Sequence, residues 1–192
     1  MTVLATMAML NSEQLRLEQA ATLAEPERTY GLLANTLFLV MDLLYGRARS
    51  WSKFKVLEVI ARVPYQAWEH VAYIAITQQY EHEDFARRVF DRVKEARHQQ
   101  DNEQWHLLIL EEWIHRTRIK ERFLLHRLAP QVIAFLYYQI SWLLYVMKPE
   151  WSYRLNVDFE THAEHEYMLF ARERPELEQM PFESAFKKDY GD

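Results

Sequence analysis

From His82 to Arg118 the chain reads HEDFARRVFDRVKEARHQQDNEQWHLLILEEWIHRTR, with no glycine or proline, charged in its first half and largely apolar in its second. The run predicts one long helix. A helix of that length keeps its apolar stripe dry only against partners of comparable length, which points to a bundle. Three glycines in 192 residues point the same way, since turn-rich all-β folds use many more.

The rest of the chain supplies the partners. NSEQLRLEQAATLAEPE predicts a short helix capped by Asn11 or Ser12 and stopped near Pro26. Residues 28–46 are apolar nearly all round, with Asp42 as the one charge after Arg28. Residues 53–80 continue helically, but Pro64 has no N–H to give and must kink or break the helix. QVIAFLYYQISWLLYVM, from Gln131 to Met147, is an uninterrupted apolar run, and a last helix is expected from about Trp151 to Arg172. RPELEQMPFESAFKKDYGD reads as an irregular acidic tail. With no internal repeat or linker, one helical domain is expected over 1–192, with its core at about 28–172 and its tail at 173–192.

Composition narrows the chemistry. Without cysteine there is no disulfide, thiolate zinc site, iron–sulfur cluster or cysteine nucleophile, so any metal rests on histidines and carboxylates. A net charge of −5 with scattered Lys and Arg gives no footprint for nucleic acid. The N-terminal stretch MTVLATMAML has no positively charged start, so no secretory signal is expected. The location expected is the cytosol of a bacterium or the inner surface of its membrane. As a helix, the run from Gln131 to Met147 spans roughly 25 Å, just short of the ~30 Å of a hydrocarbon core. It suits a buried bundle helix or an interfacial one; Tyr137, Tyr138, Trp142 and Tyr145 are types favoured at headgroup level. With the apolar segment from Tyr30 to Tyr45 it could lay the protein on a membrane without crossing it.

The opening helix also carries the pair Glu103 and His106, spaced i, i+3 and so projecting from one face. Four-helix bundles present metal ligands to their interior in this way. A similar pair, Glu95 and His98, lies in a polar stretch and reads as a solvated face. Glu58 stands among Leu57, Val59 and Ile60, where a lone carboxylate is costly unless paired or bound to a cation. Glu160 follows Phe159; Glu164 and Tyr167 share its helical face, whereas His162 and His165 point away. Glu58, Glu103, His106 and Glu160, from three separated helices, make most of a carboxylate-bridged di-iron or di-manganese centre. Glu69, His70, His82, Glu111, Glu112, His115 and His126 read as surface or outer polar groups.

LEVIARVP, DNEQWHLLIL and FETHAEHEY resemble, in order and spacing, the motifs of the alternative oxidase family, which includes the plastid terminal oxidase. The resemblance covers roughly residues 53 to 170. It implies a ferritin-like four-helix bundle with additional short N-terminal and membrane-facing helices. It also implies a non-haem di-iron centre, monotopic attachment to a membrane leaflet, and oxidation of quinol with reduction of dioxygen to water. Matched by position, Glu58, Glu103, His106 and Glu160 are then iron ligands, with manganese as a substitute metal, and Tyr167 is the redox-active or quinol-contacting tyrosine. Attachment on the cytoplasmic side of a bacterial inner or a thylakoid membrane follows from the same resemblance, as does a homodimer.

Two departures from the family pattern stand out. The family's further Glu-x-x-His beyond the tyrosine has no counterpart up to Asp192, and no histidine follows His165. The chain is then a truncated piece, or its second metal site is lost, or that site is rebuilt from Glu164 with His162 or His165. In addition, the basic residue before the first ligand, usually arginine, is Lys53, which keeps the charge expected to meet the quinol headgroup but loses the planar fork. Two rival functions share this sequence: a di-iron oxygenase or hydroxylase for another small or lipid substrate, and a non-catalytic bundle subunit with an incomplete metal site.

Overall fold

The computed structural model describes residues 12–26, 28–180 and 183–186. The cap expected at Asn11 or Ser12 falls outside the described backbone and side chains, as do residues 181–182 and 187–192 of the tail. Among the described residues there are seven α-helices and no strand: α1 Ser12–Ala24, α2 Leu32–Tyr45, α3 Trp51–Ala61, α4 Val63–Gln78, α5 Glu83–Arg116, α6 Ala129–Met147 and α7 Pro149–Glu173. A π-helical turn, Leu124–Leu128, leads into α6, and a 3-10 turn, Pro175–Gln179, follows α7, which gives order to part of the tail read as irregular.

The all-helical bundle expected from the sequence is what forms. α5 packs on α3 and α4, α6 packs on α3, α4 and α7, and α7 is flanked by α1, α2 and α3. The break between α3 and α4 falls at Arg62, two residues before Pro64, as the missing N–H of that proline requires. Ser50 opens α3 by accepting a hydrogen bond from the Lys53 amide. Phe54, Val56, Leu57 and Ile60 of α3, with Leu155, Phe159 and Phe170 of α7, fill the centre of the core.

α2 is fastened to α7 by one buried carboxylate. Asp158 is 2% exposed and accepts hydrogen bonds from the Arg28 guanidinium (3.0 Å) and the Gly31 amide (2.9 Å) just before α2 begins. A Cβ on Gly31 would lie 3.3 Å from the same carboxylate, so this close approach favours glycine. Asp158→Ala is expected to cost about 2–4 kcal/mol, because it strands a backbone donor and releases a charge pair. Urea titration of the purified chain measures it; a loss under about 0.5 kcal/mol would show that α2 is held by apolar packing alone.

The outer faces of α2 and α6 stay uncovered. Leu32, Leu39 and Leu43 of α2, and Val132, Phe135, Leu136, Leu143 and Met147 of α6, are all more than half exposed. Among the described residues no helix is long and apolar enough to cross a membrane.

Candidate metal centre

Three elements aim the site inward. α3 carries Glu58 on the face that also bears Leu57 and Ala61, α5 carries Glu103 and His106 one turn apart, and α7 carries Glu160 and Tyr167 two turns apart. Glu58 and Glu103 are 5% and 7% exposed, so both carboxyls have left bulk water. His106 Nδ1 lies 3.4 Å from Glu58 Oε2 and 3.7 Å from Glu103 Oε2. One ligand atom from each of these residues falls within a 4.8 Å cluster.

The polar neighbours turn the cluster into a network. The Tyr167 hydroxyl donates to Glu58 Oε1, and its ring stacks on Phe54 with centroids 4.2 Å apart. Tyr65 of α4 donates to Glu160 at 3.3 Å and accepts from the Asn156 amide at 3.2 Å. Glu160 thus sits beside the cluster, on the side of α4, and is not one of the three groups within 4.8 Å.

Electrostatics identify what the site lacks. Among the described residues no lysine or arginine forms an ion pair with Glu58, Glu103 or Glu160, and the basic side chain beside them is the His106 imidazole. Burial pushes the Glu58 carboxyl above the usual range, although His106 opposes it. Burial acts on Glu103 as well, but hydrogen bonds with His106 and Glu58 outweigh it and hold Glu103 below the ordinary value. Burial, reinforced by the charges of Glu103 and Glu58, lifts Glu160 to about 8. The Tyr167 phenol, buried and facing Glu58, is raised well above its ordinary value and stays protonated. Three carboxylates gathered in a weakly solvated interior with one imidazole form a hard-donor set, which a divalent cation would satisfy and protons now satisfy in part.

Other residues expected at the site lie elsewhere. Glu164 is exposed and accepts from Thr22 of α1 at 3.2 Å, so the shared face with Glu160 does not bring it inward. His162 stacks on Phe38 with ring centroids 3.9 Å apart, away from the cluster as its helical position predicts. The ammonium of Lys53 is held by Asp42 (2.8 Å) and the Gly46 carbonyl (2.9 Å). It borders a cleft of about 10 Å³ closed by Phe38, Met41 and His162, too small for a ring. Glu95 and His98 are exposed, as expected of a solvated face.

Sequence reasoning passed over Arg62 and Gln104. They hydrogen-bond across α3 and α5 (2.6 Å) and, with Glu58 and Glu103, line a cavity of about 500 Å³. The signal was present: Arg62 stands four residues after Glu58, and Gln104 directly follows Glu103.

A family model described as alternative oxidase matches residues 7–184. The chain is also similar to a protein of Arabidopsis thaliana named ubiquinol oxidase 4, chloroplastic/chromoplastic. The two are 35% identical over 150 residues, which cover 78% of this chain and 39% of that protein. This chain therefore spans well under half the length of the relative it matches. No solved structure matches it.

Proposed function

The chain belongs to the alternative oxidase family, and from that premise we propose that it is a membrane-surface non-haem di-iron oxidase that takes electrons from quinol and reduces dioxygen to water. The observation that carries this reading is the buried cluster of Glu58, Glu103 and His106 with the Tyr167 hydroxyl donating to Glu58. Such an anionic pocket has no structural purpose that an apolar core would not serve better, unless a cation fills it.

In this reading Glu58, Glu103, His106 and Glu160 hold the metal, iron in preference and manganese as the alternative. The bound metals supply the redox capacity that no side chain of this protein offers. The residues do the rest. Glu58 and Glu103 present carboxyl oxygens from two helices pinned together by the Arg62–Gln104 hydrogen bond, which fixes their separation. The Tyr167 phenol, protonated and stacked on Phe54, keeps a proton at its hydroxyl against Glu58 Oε1, where a proton is needed when dioxygen is reduced. Tyr65 orients Glu160 from the other side.

The exposed apolar faces of α2 and α6 support attachment to a membrane surface, where a lipid-soluble quinol is concentrated, and the absence of a crossing helix among the described residues agrees with a protein lying on one leaflet. The direct test is to load the anaerobically purified chain with ferrous iron, count the metal by elemental analysis, and follow oxygen uptake on quinol-containing liposomes. About two irons per chain with quinol-dependent uptake is the expected result. No bound iron, or bound iron with no uptake, would overturn the proposal.

A further inference from the structure

A file of oxidisable rings leads from the candidate centre to the surface near the turn between α6 and α7. Tyr65 of α4 begins it, donating to Glu160 at 3.3 Å. Trp68, at the i+3 position of the same helical face, has its ring centroid 5.1 Å from that of Tyr65. Trp68 then meets Tyr153 of α7 at 4.6 Å and Tyr145 of α6 at 6.0 Å. Those two tyrosines meet each other at 5.5 Å, with their hydroxyls 3.1 Å apart. Both are half-buried, so the file ends where water reaches it. The surroundings of Tyr167 differ: it stacks on Phe54, which meets Phe170, and phenyl rings are too hard to oxidise to serve as steps.

The polar atoms of the file are placed as electron transfer through it requires. Burial raises the Tyr65 and Tyr145 phenols, so both hold their protons at neutral pH, and each must shed one when it is oxidised. Tyr65 faces a carboxyl oxygen of Glu160 that can take its proton, and the Asn156 amide keeps it aimed there. The Trp68 indole donates to the Ser152 hydroxyl at 2.8 Å, which itself donates to the Ser141 carbonyl at 3.0 Å. That partner is a hydroxyl and not a base, so Trp68 passes an electron while keeping its hydrogen. Phenylalanines would fill the same space without these hydrogen bonds, so packing alone does not explain the choice of rings.

We propose that Tyr65, Trp68 and the Tyr145–Tyr153 pair form a relay that carries an oxidising equivalent away from the metal site to the surface. The relay rests on the oxidase reading, and its oxidant is dioxygen that quinol has supplied with too few electrons to reach water. An electron leaves Tyr65 for the site as the phenolic proton shifts to Glu160; an electron from Trp68 and the same proton then restore the phenol. One tyrosine of the pair refills Trp68 and releases its proton to solvent water. The net change is one electron moved inward, one proton released and a neutral tyrosyl radical at the surface. A thiol or a further quinol repairs that radical by giving up a hydrogen atom.

The test loads the full chain anaerobically with ferrous iron, mixes it with dioxygen in the absence of quinol, and reads freeze-quenched samples by electron paramagnetic resonance. A tyrosyl signal that narrows in protein grown on ring-deuterated tyrosine is expected, replaced by an indole signal when Tyr145→Phe and Tyr153→Phe are combined. Trp68→Phe should cause a several-fold rise in oxygen-added products on the peptides bearing Glu58, Glu103 and His106, read by mass spectrometry. Its initial rate of quinol-dependent oxygen uptake should stay at the wild-type value. Where Trp68→Phe does not fold, the double tyrosine variant, which removes hydroxyls alone, carries the same product measurement. A tyrosyl signal that persists unchanged in the double variant, or no rise in oxidised products in the folded variants, overturns the relay. If the wild type binds iron and consumes oxygen with quinol but forms no radical on these rings, the relay alone falls. If it binds no iron, the oxidase reading falls and the relay with it.

Discussion

Glu103→Gln should empty the site of metal and lower quinol-dependent oxygen uptake by at least about 100-fold, while helical content stays near that of the wild type. The size follows from position. Glu103 is 7% exposed, sits 3.7 Å from His106 Nδ1 and shares the cluster with Glu58, so in the proposed function its oxygen is a direct ligand. Replacing outer partners of metal ligands already costs about 10–100-fold in affinity or activity, and a direct ligand should cost no less. The fold should survive because the substitution keeps the side-chain volume and removes one of several crowded buried charges. Elemental analysis and circular dichroism on the same sample separate the two effects. Full metal occupancy in Glu103→Gln would remove Glu103 from the ligand set.

The second large effect is a loss of stability of the metal-free chain as pH rises. Glu160 titrates near 8 in the folded protein and near 4.5 when unfolded. Between those values the folded state binds the extra proton, so stability falls as pH climbs. For this group alone the loss from about pH 6 to pH 9 is about 2–3 kcal/mol, and Glu58, also raised, acts in the same direction. Two other shifts act with the opposite sign, at or below the acid end of this range. Glu103, held low, stabilises above the ordinary carboxylate range and loses that contribution only in acid. His162, lowered mainly by burial, costs stability as pH falls through 6.5 and below. A bound cation should reverse the trend, because it takes the place of the protons and binds better as they leave. Urea titrations of metal-free and iron-loaded protein across this range measure both slopes. A flat metal-free profile, or one that Glu160→Gln does not flatten, would show that Glu160 is not the buried proton store.

These expectations depend on a site that was only partly legible in one dimension. Helical periodicity places Glu103 and His106 on one face, and puts Tyr167 two turns from Glu160, because 3.6 residues per turn is a local property of the backbone. The apolar neighbours of Glu58 marked it as a carboxylate needing a cation, and the break near Pro64 follows from one missing N–H. Family motifs in order added the quinol and dioxygen chemistry, which no spacing rule could supply.

What periodicity cannot state is which neighbour a face meets. Glu164 shares a helical face with Glu160, yet it meets α1 and solvent, because Glu160 already stands at the edge of the buried arc carried by Asn156, Phe159, Ala163 and Phe170, and Glu164 lies about 40° beyond that edge. Lys53 is basic at the position the family motif requires, but the return of the chain at Gly46 and the arrival of Asp42 decide that its ammonium is spoken for. Arg62 and Gln104 lie 42 positions apart and become a pair only where α3 crosses α5. The sequence by itself determined the helices, their apolar faces and the ligand types, since these depend on residues within a turn or two of one another. The tertiary structure decided the Tyr167 contact with Glu58, the occupation of Lys53 and the cavity beside Arg62, since each depends on how helices distant in sequence cross.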